Sequence, residues 1–170
     1  MTRDRTEVSR SSTALLWLFV IDLGIAMGAG LYEGRIVVPT WIDPGADPPA
    51  WDAAAAREDN TGVRFWVGVT TVPLTLLTLA NLVAGWRAPA RLRRWWLGSA
   101  GTALVERGMT LGYFVPTMVR LMQVENSPEA VAAATRWAQL NNVRHLLVLA
   151  AWLGALKTFS LLYRHRGEAA

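Results

Sequence analysis

Cysteine is absent, so the chain offers no disulfide framework, thiolate nucleophile, iron–sulfur cluster or thiolate zinc site. Histidine is nearly absent. Of the two present, His165 lies in a basic tail and only His145 falls in an apolar segment. That leaves no pair of axial ligands for haem, and a metal would have to be built from His145 with Glu33 or Glu106, so no cofactor is expected. Charge is scarce as well, at 18% of residues against 52% hydrophobic, with nine tryptophans. A soluble single domain would leave too much of this apolar surface uncovered, and composition therefore points to a lipid bilayer. The net charge of +4 does not indicate nucleic acid, because the basic residues fall in loops and not over a polar face with stacking aromatics.

Four apolar segments, at about residues 13–32, 63–86, 95–121 and 143–163, each come near the ~20 residues that a helix needs to cross ~30 Å of hydrocarbon. The first is too long for a removed signal peptide, has no small-residue cleavage site and is followed by Glu33 and Arg35, so a retained span is expected. The expected fold is all-α, with residues 1–170 forming one integral membrane four-helix bundle and short extracytoplasmic helices in the outer loops. The link WRAPARLRR holds Arg87, Arg91, Arg93 and Arg94 without an acid, and the tail RHRGEAA is basic, whereas IDPGADPPAWDAAAARED is acidic. The positive-inside bias then places both termini and the middle link in the cytoplasm, as in a multi-pass protein of the cell membrane. Trp17, Trp66, Trp86, Trp95, Trp96 and Tyr163 lie near span ends, where amphipathic rings favour the headgroup region. Ser127 and Pro128 read as the start of a short helix leading into the fourth span, and PPAWDAAAARED as one or two helical turns.

Counted from the cytoplasmic ends, Asp22, Glu106 and Arg107 reach mid-membrane, with Asn81 and Lys157 nearer the inner surface. An ionised side chain at bilayer depth costs about 2.5–3.5 kcal/mol, so these five residues are expected to face the interior, where the acids Asp22 and Glu106 neutralise the bases Arg107 and Lys157. A second polar group gathers at the outer end: Glu33, Arg35 and Trp41, then Arg64, then Arg120, then Asn141, Asn142, Arg144 and His145. Steps of seven residues put Glu106, Tyr113 and Arg120 on one helical face, and eleven residues separate Asp22 from Glu33. Such stripes describe either a cavity open to one side or an interior salt-bridge ladder. Gly24 and Gly28 are expected at close helix contacts, and Pro73 and Pro116 are expected to interrupt backbone hydrogen bonding.

In this order of spans, the segments GLYEGRIVVPTW, FVPTMVRLM and above all RWAQLNNVRHLLVLAAWLGAL resemble the anthrone oxygenase-like family of small integral membrane proteins, over about residues 13–162. Trp137, Asn141 and Arg144 match the family's tryptophan followed by Asn-x-x-Arg, and Pro116 its proline near the end of the third span. The loop from Asp43 to Asp59 and the Glu106–Arg107 pair match no family pattern. The resemblance implies cofactor-independent oxidation of aromatic polyketide anthrones to anthraquinones. A base removes an acidic proton, and the delocalised carbanion passes an electron to dioxygen without flavin or metal. On that reading His145 or Glu33 is the base, and Arg144 and Arg120 with Asn141 stabilise the enolate oxygen. Trp41, Tyr113 and Trp137, with Arg35 and Asn142, would hold a hydrophobic substrate arriving from the lipid bilayer. The same groups suit an acid/base isomerase or cyclase. A rival expectation is non-catalytic: an accessory or small-molecule carrier protein, or a self-associating homo-oligomeric scaffold, held together by its intramembrane charges.

Overall fold

The computed structural model describes residues 8–43, 45–47 and 49–168, with side chains to Arg164, and nearly all of this chain is helical. Helix α1 (Arg10–Tyr32) starts at Ser9, whose Oγ accepts from the Ser12 N–H at 3.1 Å, and runs through a π-helical stretch, Glu33–Val37, into α2 (Val38–Trp41). Helix α3 (Ala53–Asp59) is short, capped by the Asp52 side chain and closed by Asn60 at φ 43, a left-handed conformation that asparagine tolerates better than most residues. A second π-helical stretch, Gly62–Thr71, leads into α4 (Val72–Arg87). Helix α5 (Ala90–Met109) passes through a third, Thr110–Phe114, into α6 (Val115–Leu121).

Each π-helical stretch ends two residues before a helical proline: Pro39, Pro73 and Pro116. Proline lacks the N–H that would bond the carbonyl four residues back and its ring clashes with that carbonyl, so the preceding turn widens. The interruption expected at Pro73 and Pro116 takes this form, and Pro39 adds a third instance.

Helix α7 (Pro128–Glu168) is one rod of 41 residues, about 60 Å at 1.5 Å per residue. The Ser127 Oγ accepts from the Ala130 N–H at 3.1 Å, as its position before Pro128 suggests. No separate short helix precedes the fourth apolar segment, because nothing after Pro128 stops the helix; the alanine-rich turns continue straight into it. Ile42–Asp43 (β1) and Ala50–Trp51 (β2) form a two-residue antiparallel ladder that closes the acidic loop.

Among the described residues, three helical runs are long and apolar enough to cross a membrane: Arg10–Trp41, Gly62–Arg87 and Pro128–Arg164. Their outward side chains include exposed Ile21, Leu76, Leu79 and Leu153, a surface that suits lipid and not water. The run 90–121 is helical too, but three arginines near its start and Glu106 and Arg107 in its middle hold it below that standard. In cross-section α1 packs against α4 and α7, and α5 packs against the same two helices. The lower core centres on Phe19, Leu74 and Trp96, where Trp96 Nε1 donates to Asn81 Oδ1 at 2.9 Å and Asn81 Nδ2 reaches the Leu15 carbonyl at 3.2 Å. A separate upper core collects Trp41, Trp51, Phe114 and Trp137 beneath the acidic loop.

Close helix approaches fall at Gly30, where an added Cβ would stand 2.6 Å from His145, and at Gly85 and Gly154, where it would stand 3.1 Å from Leu97 and Ser99 respectively. Gly24 lies in ordinary contact with Trp152, and Gly28 has nothing near it, so the expected close contact at Gly28 is not found. Of the aromatics expected at span ends, Trp17, Trp86, Trp95 and Tyr163 are exposed, whereas Trp96 is fully buried in the core.

Candidate functional site

The polar residues of the upper half divide between a closed cluster and an open groove. The cluster centres on Glu106, 1% exposed. Its carboxylate accepts from Arg107 Nε at 2.6 Å, Arg107 Nη2 at 2.7 Å and Thr110 Oγ1 at 2.8 Å. Arg144 Nε stands 4.0 Å from Glu106 Oε1. Its guanidinium lies 5.1 Å from the Phe114 ring centre and 5.5 Å from that of Trp66, a cation held between two aromatic faces. Glu33 is also engaged: its Oε1 accepts from Thr61 Oγ1 at 2.5 Å and Trp66 Nε1 at 2.7 Å. Glu33, Trp66, Thr110 and Phe114 all sit on π-helical stretches, whose i→i+5 bonding turns side chains away from a regular helical face.

Asp22 is 6% exposed and interacts electrostatically with Arg107, yet neither of its oxygens has a hydrogen-bond partner. Lys157, expected to join this network, is exposed at the helix surface, and Asn81 belongs instead to the lower core with Trp96. The interior thus holds Asp22, Glu33 and Glu106 against Arg107 and Arg144. Lys157 and Asn81 thus leave the network that the depth count assembled, and Glu33 and Arg144 join it.

The groove runs between α1 with its π-helical extension and α7, around His145. It comprises two adjoining volumes of about 220 and 550 Å³ that share Gly34, Arg35, Asn142 and His145. His145 is 7% exposed, and its Nε2 lacks a hydrogen-bond partner; Asn141 is 2% exposed, and its Oδ1 lacks one too. Room for the imidazole comes from Gly30, where an added Cβ would fall 2.6 Å from Nε2, and from Gly34, where it would fall 3.5 Å from Cε1. Gly30→Ala should therefore push the His145 ring out of position while leaving α1 helical, and at least a tenfold drop in any His145-dependent reaction is the expected outcome. Circular dichroism unchanged from wild type would show that the effect is local.

No family model, curated protein or solved structure matches the chain. These comparisons support no family assignment. Of the residues the resemblance singled out, His145, Asn141, Asn142 and Arg35 come together at the groove. Glu33 and Arg144 do not line it; they are spent on the buried cluster. Tyr113 is half-buried and packs edge-on against Phe114, and Arg120 is exposed on α6, so neither meets the imidazole. Trp41 donates to Asp59 Oδ2 at 2.7 Å and Trp137 to the Phe114 carbonyl at 3.1 Å, which makes both pillars of the upper core and not walls of the groove. Arg64 is exposed beside the second π-helical stretch. Among the described residues, no three of His, Cys, Asp and Glu are placed to hold a metal ion.

Several participants were not singled out from sequence. Thr110 lies one turn after Glu106, the i+4 spacing at which a hydroxyl meets a carboxylate. Gly30 and Gly34 show the same spacing, opposite His145. Gln139 and Thr135 on the outer turns of α7, and Met27, Leu31 and Leu146 lower down, carry no motif that marks them as groove lining.

Proposed function

We propose that the chain is an integral membrane enzyme that performs acid/base chemistry on a hydrophobic small molecule in the α1–α7 groove. On this reading all four long helices cross the membrane, the run 90–121 doing so because Glu106 and Arg107 neutralise each other inside the bundle. The basic link and both termini then lie on the cytoplasmic side, and the groove opens sideways and outward, so a lipophilic substrate enters from the bilayer.

The observation that carries the reading is the His145 Nε2, buried against Gly30 without a hydrogen-bond partner, on a residue that lines the groove. A neutral imidazole so placed takes a proton from an activated C–H, and the N–H groups of Asn142 and Arg35 lie along the same groove to receive the charge developing on the enolate oxygen. With an anthrone, the carbanion reduces dioxygen, the methylene becomes a carbonyl and the second oxygen atom leaves as water. With an enone or a polyketone, reprotonation or ring closure at another carbon completes an isomerisation or cyclisation. The engagement of Glu33 and Arg144 in the buried cluster leaves one proton-transferring group in the groove, and this favours the carrier reading as the second choice.

The test is oxygen uptake and anthraquinone formation by the purified protein in lipid vesicles supplied with anthrone. Turnover above protein-free vesicles that disappears in His145→Gln supports the reading. Equal rates in wild type and His145→Gln contradict it.

A further inference from the structure

The groove is elongated and has two chemically different ends. Its lower part is walled by Met27, Leu31 and Leu146, whereas its upper part adds the polar Thr135, Gln139 and Asn141 to apolar Val38, Pro39, Ile42 and Ala138. Between them Arg35 and Asn142 flank His145, and both volumes share this waist. Along the first helical run the lining extends from Met27 to Pro39, about 18 Å at 1.5 Å per residue, a length suited to a chain. Among the described residues, Arg35 is the one of fixed charge in the lining, and no carboxylate lines the groove with it. Asn141 Oδ1, buried and unpartnered, is an acceptor that calls for a donor from the ligand.

We propose that the ligand of this groove is a single-chain anionic amphiphile: the chain lies in the lower volume, the anion faces Arg35, and a hydroxyl of the head group donates to Asn141 Oδ1. The inference rests on the reading of the groove as the substrate site and narrows the substrate class. The reacting carbon then falls at the waist, beside His145 Nε2. Fatty-acid-like and lysophospholipid-like molecules share this chemistry; the hydroxyl separates them, since a simple carboxylate brings none.

The test uses the full chain in neutral phosphatidylcholine nanodiscs, titrated with oleate, oleoyl lysophosphatidylglycerol and neutral monoolein, with binding read by native mass spectrometry. Wild type should prefer at least one anionic probe over monoolein by tenfold or more, and Arg35→Ala, at an exposed position, should abolish that preference. The tighter anionic probe identifies the head-group source. Leu146→Trp, which fills the lower volume, should weaken both anionic probes. Equal affinity for monoolein, or an anionic preference that survives both substitutions, overturns the proposal. A His145-dependent oxygen uptake that persists without anionic preference would fail this inference alone. Anionic binding at Arg35 without any His145-dependent reaction would fail the catalytic reading alone.

Discussion

Glu106→Ala is expected to cost about 3–5 kcal/mol and to remove most folded protein from the membrane, because it strands two buried cations at once. Arg107 loses both of its hydrogen bonds to the carboxylate, and Arg144, already without a partner at Nε, loses its nearest anion. The remaining carboxylates, Asp22 near Arg107 and Glu33 near Arg144, act on these cations only at a distance. Asp22 makes no hydrogen bond to Arg107, and Glu33 is held by Thr61 and Trp66. The effect belongs to the unpaired charges and not to the lost bonds, so Glu106→Leu combined with Arg107→Met should recover a large part of the stability, as an apolar replacement of a buried pair often does. Thermal unfolding in detergent, followed by tryptophan fluorescence, measures both variants. If the single variant unfolds within a degree of wild type, Glu106 is not the keystone of the cluster.

His145→Gln is expected to leave the fold intact and to lower turnover by about 10²–10⁴-fold, the usual contribution of a positioned general base. Glutamine approximates the volume of the imidazole and can offer an amide where Nε2 stood, but it accepts no proton at neutral pH. Stability should hold because the buried Nε2 has no hydrogen-bond partner to lose. This contrast distinguishes the two polar systems: a change at Glu106 is read in unfolding, and a change at His145 is read in rate.

Much of the helical fold was legible in the sequence, because three of the four apolar segments fall in helical runs long and apolar enough to cross a membrane and Ser127 with Pro128 marks the start of α7. The site was less legible, for a reason the π-helical stretches make plain. Counting Glu106, Tyr113 and Arg120 at steps of seven assumes a regular α-helix, but residues 110–114 take i→i+5 bonding and rotate everything beyond them. Glu106 stays buried while Tyr113 is half-buried and Arg120 faces outward. Depth counting has a matching blind spot, since it gives height and not direction: Lys157 has the height of an interior residue and the direction of a surface one. Trp41 and Trp137 looked like stacking walls because aromatic rings serve both purposes, and only their indole N–H partners, Asp59 and the Phe114 carbonyl, assign them to packing. The groove came within reach through the cluster of Asn141, Asn142 and His145 in a single turn of α7, whereas its apolar floor had no signature beyond ordinary membrane residues.

The central claim is that a lipophilic molecule sits against His145 Nε2, and the chain's two histidines make that directly observable. In protein labelled with ¹⁵N-histidine and carrying His165→Ala, the Nε2 resonance belongs to His145 alone, and anthrone or oleoyl lysophosphatidylglycerol can be titrated into the vesicles. A saturable shift of that resonance, abolished by Leu146→Trp, is the predicted result. A resonance that stays fixed through saturating additions of both molecules would contradict the account.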